Sequence, residues 1–367
     1  MIITDSPLNS LRTGRWFKLI CGASYQHLPS VRSLTLAYTL AGADCIDVAA
    51  DPAVIAAARD GLAIADRLGE QARERGFGYR QRPWLMVSLN DGEDPHFRKA
   101  EFDATACPPN CPRPCETICP AGAIAFSDIE SGVIDRLCYG CGRCLPVCPA
   151  DLIQTRSYVS TPEAVAPLVF QTGADAIEIH TQIGREADFR RLWERIRPQA
   201  HRLKAIAVSC PDGPNLLEYL RTLYQILSPL PPDTVPIWQT DGRPMSGDIG
   251  RGTTLAAVRL GRRVLEARLP GYVQLAGGTN DYTVAKLRSE NLLPPSPFPT
   301  VAGVAYGSYA RSLLSPLLES VEFMPTTIHG MPNPPDPSTL SQLEAHPDRL
   351  WKAVGLAHSL VSQLKGF

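Results

Sequence analysis

Gly42-Ala43-Asp44-Cys45-Ile46-Asp47-Val48 returns later in the chain as Gly173-Ala174-Asp175-Ala176-Ile177-Glu178-Ile179. Each copy joins the end of a helical pattern to a short strand-like run, so the echo marks one repeated helix-to-strand unit. Outward from it, the same rhythm of short apolar runs and longer segments of helical period fills most of the 367 residues. The strand candidates are Phe17–Cys21, Cys45–Ala49, Trp84–Leu89, Ala176–His180, Ala205–Ser209, Val235–Gln239, Tyr272–Ala276 and Val301–Ala305. Between them, Pro52–Gly69, Glu186–Ile196, Leu216–Ile226 and Thr254–Ala267 carry an apolar stripe on an otherwise polar helix. Eight such pairs predict an α/β fold, a closed (β/α)8 TIM-type barrel, with an open doubly wound sheet as the alternative. With a period of two along a strand, Ile46, Val48, Ile177 and Ile179 face the helices, which turns Asp47, Glu178 and His180 toward the barrel axis. There they either pair with one another or hold a ligand.

The rhythm breaks between the third and fourth strands, where residues 91–157 are rich in Pro, Gly and Cys. The expected organisation is a first barrel part over 1–90, an inserted two-cluster ferredoxin-like α+β domain over 91–157, and a second barrel part over 158–323. A Pro-rich strap and a C-terminal helix, centred on Leu350 to Leu364, follow over 324–367. An insertion at this point leaves from a βα loop, on the face where such barrels place their chemistry.

Eight of the eleven cysteines lie in the insertion. Its second half reads Cys138-Tyr139-Gly140-Cys141-Gly142-Arg143-Cys144-Leu145-Pro146-Val147-Cys148-Pro149, the C-x2-C-x2-C-x3-C-P run of bacterial ferredoxins. Three closely spaced thiolates grip three corners of one cubane, and the Pro turns the fourth cysteine toward a second cluster. The first half, with Cys107, Cys111, Cys115 and Cys119-Pro120, keeps the terminal C-x3-C-P but widens both earlier gaps. Ala121-Gly122-Ala123-Ile124 and Ala150-Asp151-Leu152-Ile153 repeat the same turn after each Pro. A pseudo-twofold of this kind exchanges ligands, giving one site Cys138, Cys141, Cys144 and Cys119, and the other Cys107, Cys111, Cys115 and Cys148. Two 4Fe-4S clusters are the expected cofactors, with a 3Fe-4S cluster open at the Cys107/Cys111/Cys115 site. Zinc favours separated C-x2-C pairs, and a radical-generating cluster uses three cysteines without a fourth, so neither suits this spacing. Cys21, Cys45 and Cys210 sit singly in or beside apolar runs and read as small buried hydrophobes.

Apolar residues make up 44% and charged residues 20%, which excludes a disordered chain, and 36 basic residues against 37 acidic ones give nucleic acid no global attraction. No apolar run is long enough to span a bilayer, and the first residues lack a secretory pattern, so a cytoplasmic protein without membrane insertion is expected. The loops expected after strands seven and eight contain Gly277, Gly278, Gly307 and Ser308. Glycines there allow a phosphate to approach backbone N–H groups, that of FMN being one candidate, or they simply shape tight turns.

The cysteine block set inside a barrel-like chain, together with the opening Trp16-Phe17-Lys18-Leu19-Ile20-Cys21-Gly22-Ala23, resembles the cyanobacterial light-dependent period (LdpA) family over nearly the whole chain. That resemblance implies an iron–sulfur protein that senses cellular redox state and conveys it to the circadian clock through clock proteins. It implies no catalytic residues. The other reading of the residues is a flavin- or phosphate-binding barrel oxidoreductase fed by an electron donor through the insertion. Arg113, Arg136 and Arg143 lie where they would answer a change of cluster charge.

Overall fold

The computed structural model describes residues 6–21, 28–92, 98–119, 122–127, 131–135, 137–138, 144–157, 167, 169–242, 250–322 and 342–366. In chain order these contain α1 (Pro7–Arg12), β1 (Trp16–Ile20), α2 (Leu28–Ala41), β2 (Cys45–Ala49), α3 (Pro52–Glu74) and β3 (Trp84–Asn90). Next come β4 (Arg98–Glu101), α4 (Pro114–Ile118), β5 (Ile124–Phe126), β6 (Ser131–Val133) and β7 (Gln154–Ser157). The regular alternation then resumes with β8 (Ala176–His180), α5 (Glu186–Ile196), β9 (Ala205–Pro211), α6 (Leu216–Leu227), β10 (Val235–Asp241) and α7 (Thr253–Glu266). The last elements are β11 (Tyr272–Ala276), α8 (Thr283–Ser289), β12 (Gly303–Tyr306), α9 (Ser308–Glu322) and α10 (Pro347–Lys365).

β1, β2, β3, β8, β9, β10, β11 and β12 pair in that cyclic order, all parallel, and close a barrel. The repeated Gly-Ala-Asp explains itself in this frame. Gly42 and Gly173 take positive φ angles of 99° and 67°, which turn the chain out of the preceding helix at little steric cost. Asp44 then accepts the Phe17 backbone N–H at 2.8 Å and pairs with Lys365 at 2.6 Å, while Asp175 accepts the Leu85 N–H at 3.0 Å and pairs with Lys204 at 2.6 Å. In both copies the aspartate fastens the start of its own strand to the neighbouring one.

The strands are buried on both faces. Outward residues such as Ile46, Val48, Ile177, Ile206 and Val304 pack under the helices in one continuous core. α3 runs five residues past the expected end at Gly69, which lies inside the helix as a packing glycine: the Tyr79 ring occupies the place a side chain there would need, with Cε1 2.1 Å from an added Cβ. The last strand begins at Gly303 rather than at Val301, whose N–H is taken by the Leu292 carbonyl at 2.9 Å. α10 starts at Pro347, a residue preset for the first helical turn, and lies against α2. Of the strap, residues 324–341 fall outside the described residues.

Candidate functional site

Between β3 and β8 the chain leaves the barrel and builds two small antiparallel pairs, β4 with β7 and β5 with β6. The two halves of the cysteine motif fold alike. After Cys119, Gly122 takes φ 56° and its N–H reaches the Cys119 carbonyl at 3.2 Å; after Cys148, Asp151 takes φ 52° and its N–H reaches the Cys148 carbonyl at 3.2 Å. The next N–H then points at sulfur, Ala123 to Cys119 Sγ at 3.2 Å and Leu152 to Cys148 Sγ at 3.4 Å. Ile124 and Ile153 follow in matching positions and enter the same apolar cluster as Cys115, Cys119, Cys138 and Cys144.

Electrostatic influence among the described thiols runs across the two motifs. Cys107 is held above its usual range by burial, by the neighbouring Cys111 thiol and by Cys148. Cys115 is raised by burial and also feels Cys148 and Cys107. Cys148, the last cysteine of the second motif, is thus near enough to act on thiols of the first. Burial opposes its ionisation, but the N–H groups of Leu152, Ala150, Ile153 and Asp151 lower its pKa. Cys119, Cys138 and Cys144 are buried beside one another's segments, and Cys141 lies outside the described residues. Soft anionic sulfurs set among apolar side chains and aimed N–H donors form a donor set that fits an iron–sulfur cluster. Arg113 lies over the Phe126 ring at 4.2 Å, while Arg136 and Arg143 lie outside the described residues.

The second candidate region is the barrel axis. Asp47 and Glu178 point inward, are at most 1% exposed, and meet Lys18, which is fully buried. Lys18 Nζ lies 3.0 Å from Asp47, donates to Glu178, and reaches Gln239 Oε1 at 2.9 Å. Burial works against its charge, but Asp47 and Glu178 more than offset this and hold its pKa above the ordinary lysine value. Ser88 donates to Asp47 at 2.6 Å, Gln239 donates to Glu178 at 2.7 Å, and Gln274 and Trp16 extend the chain of bonds across the barrel. His180 Nε2 lies 3.1 Å from Glu178 at the mouth. The sequence singled out Asp47, Glu178 and His180 but missed Lys18, Gln239 and Gln274. Their signal is a polar residue at the inward parity of an otherwise apolar strand.

At the other end of the mouth, Gly277 and Gly278 have φ angles of 61° and 95°, and the Gly278 carbonyl accepts the Thr253 hydroxyl at 2.7 Å. Gly307 follows β12, and Ser308 starts α9, where its hydroxyl accepts from Arg311 at 3.1 Å. Cys21, Cys45 and Cys210 are buried, and burial pushes the Cys21 and Cys210 thiols up to about 12. The loop from Gly22 to Tyr25 lies outside the described residues.

No helix among the described residues is long and apolar enough to cross a membrane. The family description "LdpA Fe-S cluster-binding domain" matches residues 107–159, and "Light dependent period A C-terminal domain" matches residues 168–363. The protein Light dependent period A of Synechococcus elongatus is 50% identical over 359 residues, covering 98% of this chain and 94% of its own. A Protein NrfC homolog of Haemophilus influenzae is 41% identical over 68 residues, 18% of this chain and 29% of that protein. Among solved structures, a tryptophan synthase from M. tuberculosis is similar at TM-score 0.41 and 11% identity, covering 97% of this chain and 96% of that one. The tryptophan synthase alpha chain from Legionella pneumophila gives the same score and identity over 98% and 95%. Identity over almost its full length to a protein of that name, with both family descriptions matched in order, means that the chain belongs to the light-dependent period A family.

Proposed function

We propose that this protein is an iron–sulfur redox sensor that conveys cellular redox and light state to the circadian clock through protein partners. Cys107, Cys111, Cys115 and Cys148 hold one cluster and Cys119, Cys138, Cys141 and Cys144 the other, both of the 4Fe-4S type. The observation that supports this reading most is that Cys148, the last cysteine of the second motif, acts on the thiols of Cys107 and Cys115. A bound cluster supplies one-electron redox chemistry there. The chain's own part is to present thiolates, to aim the Ala123 and Leu152 N–H groups at sulfur, and to keep water from Cys119, Cys138 and Cys144. The light-dependent period name of the relative supports placing the output in period control.

The test is iron and sulfide analysis with EPR on anaerobically purified variants. Cys148→Ser is expected to remove the same signal as Cys111→Ser, and Cys119→Ser the same signal as Cys141→Ser. Pairing of Cys148→Ser with Cys141→Ser overturns the exchange, and stoichiometric zinc overturns the clusters. For the sensor role, recovery of clock proteins in a pull-down is expected to differ between dithionite and mild oxidant at fixed salt. Equal recovery sinks that role and leaves electron supply to a flavin-bearing barrel, which released or added FMN would reveal.

A further inference from the structure

The two halves of the cysteine motif are not equivalent. From Cys138 to Cys144 each gap holds two residues, whereas from Cys107 to Cys115 each holds three, and the second of these wider gaps is Pro112-Arg113-Pro114. Arg113 takes φ 52° and ψ 51°, a left-handed conformation that a residue with a side chain adopts only under strain. It also precedes Pro114, and the residue before a proline ordinarily stays extended. Pro114 then opens α4, the Glu116 N–H reaches back to the Arg113 carbonyl at 3.1 Å, and Cys115 is carried into the apolar cluster. A glycine would make the same turn without strain, so what the turn preserves is the side chain.

That side chain rests on an aromatic face. Its guanidinium lies 4.2 Å from the centre of the Phe126 ring, at the end of β5, and Phe126 packs against the apolar cluster that holds Cys115. Phe102 backs the ring, with 5.9 Å between the two centres. Among the described residues no carboxylate pairs with Arg113. A ring attracts a cation through its quadrupole and has no net charge, so it holds the guanidinium without neutralising it. Arg113 therefore keeps its full positive charge, two residues from Cys111 and two from Cys115.

We infer that Arg113, held on the Phe126 ring, raises the reduction potential of the site formed by Cys107, Cys111, Cys115 and Cys148. This role rests on the cluster assignment proposed above. One electron from an external one-electron donor makes the charge of that site more negative by one unit, and no bond of the chain is made or broken. A fixed positive charge alongside stabilises the reduced form more than the oxidised one. The guanidinium is exposed, so water and salt screen part of its charge and the effect is moderate. The second half of the motif has no residue in the matching place, because its gaps are one residue shorter.

Redox titration followed by EPR, on the anaerobically purified full chain, tests this role. Each signal is assigned by the variant that removes it, Cys111→Ser or Cys119→Ser. Arg113→Gln is expected to shift the reduction equilibrium of the Cys111-dependent signal about three- to tenfold toward the oxidised form, about 30–60 mV for a one-electron couple. The Cys119-dependent signal is expected to move less, and the shift to shrink as salt is added. Phe126→Leu, which releases the guanidinium into water, is expected to move the Cys111-dependent signal the same way, and Arg113→Lys to keep most of the wild-type potential. Arg113→Gly relieves the turn and is expected to give the same shift, so it serves if the glutamine variant loses iron. An unmoved Cys111-dependent signal, an equal shift of both signals or a shift indifferent to salt overturns the role of Arg113 alone. Absence of clusters, or zinc in their place, overturns the cluster assignment and this role with it.

Discussion

The barrel and its insertion are held together in different ways. Around the barrel wall, side chains such as Leu19, Ile46, Val87, Ile177, Trp193 and Leu275 are at most 1% exposed, each contributing roughly 1.5–3 kcal/mol by leaving water. Among its described residues the insertion has strands of three or four residues and a core cluster of eight buried residues, four of which are cysteines. Its other four are Ala100, Ala123, Ile124 and Ile153. A region with so little apolar area needs bonds of another kind, and metal–thiolate bonds are the ones its residues can make. The barrel can thus keep its shape while the insertion responds to its metal. The largest expected effect breaks the two regions apart: anaerobic removal of iron should open the insertion and leave the barrel folded. Limited proteolysis should then cut within residues 91–157 while the barrel segments resist. Equal resistance with and without iron would show that the insertion's apolar cluster suffices by itself.

The converse experiment attacks the barrel alone. Lys18→Met leaves Asp47 and Glu178 buried without their ammonium, and loss of one partner from a buried ionic set costs about 3–5 kcal/mol. Chemical denaturation is expected to show that loss, and iron content is expected to stay at the wild-type level. Adding Glu178→Gln to Lys18→Met should recover part of the stability, because it removes one of the stranded charges. A falling iron content in the single variant would mean that the two regions do not fold independently.

A smaller effect is expected at their junction. Lys99 in β4 is 6% exposed, lies 3.7 Å from Asp51 and donates to the Asp135 carbonyl. Asp51 caps α3 through Ala53 and Val54, and Asp135 lies in the turn that leads to Cys138. Lys99 therefore ties a helix of the barrel to the ligand loop. Lys99→Ala should cost about 1–3 kcal/mol through the buried acceptors it leaves, whereas Arg156→Ala, at a half-exposed pair with the same Asp135, should cost about 0–1 kcal/mol. Similar losses in the two variants would remove the distinction between junction and surface.

How much of this was legible follows from what each feature depends on. The barrel was legible because its evidence is local: strand parity, helical period and the Gly-Ala-Asp echo lie within short windows. The iron–sulfur motif was legible because its signal is a spacing of cysteines within one short block. The ionic layer was half legible. Parity turns Asp47, Glu178 and His180 inward, but the height at which Lys18, Gln239 and Gln274 meet them depends on register between strands far apart in sequence. Lys99 gave no sign at all, since Asp51 and Asp135 reach it only through the fold. Gly278 and Gly307 look alike in the sequence and differ in the backbone.

That last difference supplies the smallest test and reaches the phosphate expectation at the mouth. Gly278 has φ 95°, and an added Cβ would lie 2.9 Å from the Thr253 carbonyl oxygen, so a side chain there strains the turn whether or not a ligand binds. Gly307 has no positive φ, and an added Cβ would first meet Arg311 Nη1 at 3.5 Å and Ile20 Cβ at 3.8 Å, ordinary contact distances. Gly278→Ala is expected to lose about 1 kcal/mol in thermal unfolding, and Gly307→Ala almost nothing. Gly307→Ala is therefore the clean probe of an anion near α9, which Gly278 cannot be. Flavin mononucleotide, added to both the wild type and Gly307→Ala and followed by fluorescence quenching, separates the roles. Binding lost in a variant of unchanged stability assigns the phosphate to this turn, and binding unchanged in both leaves the glycines with the geometry of the chain as their purpose.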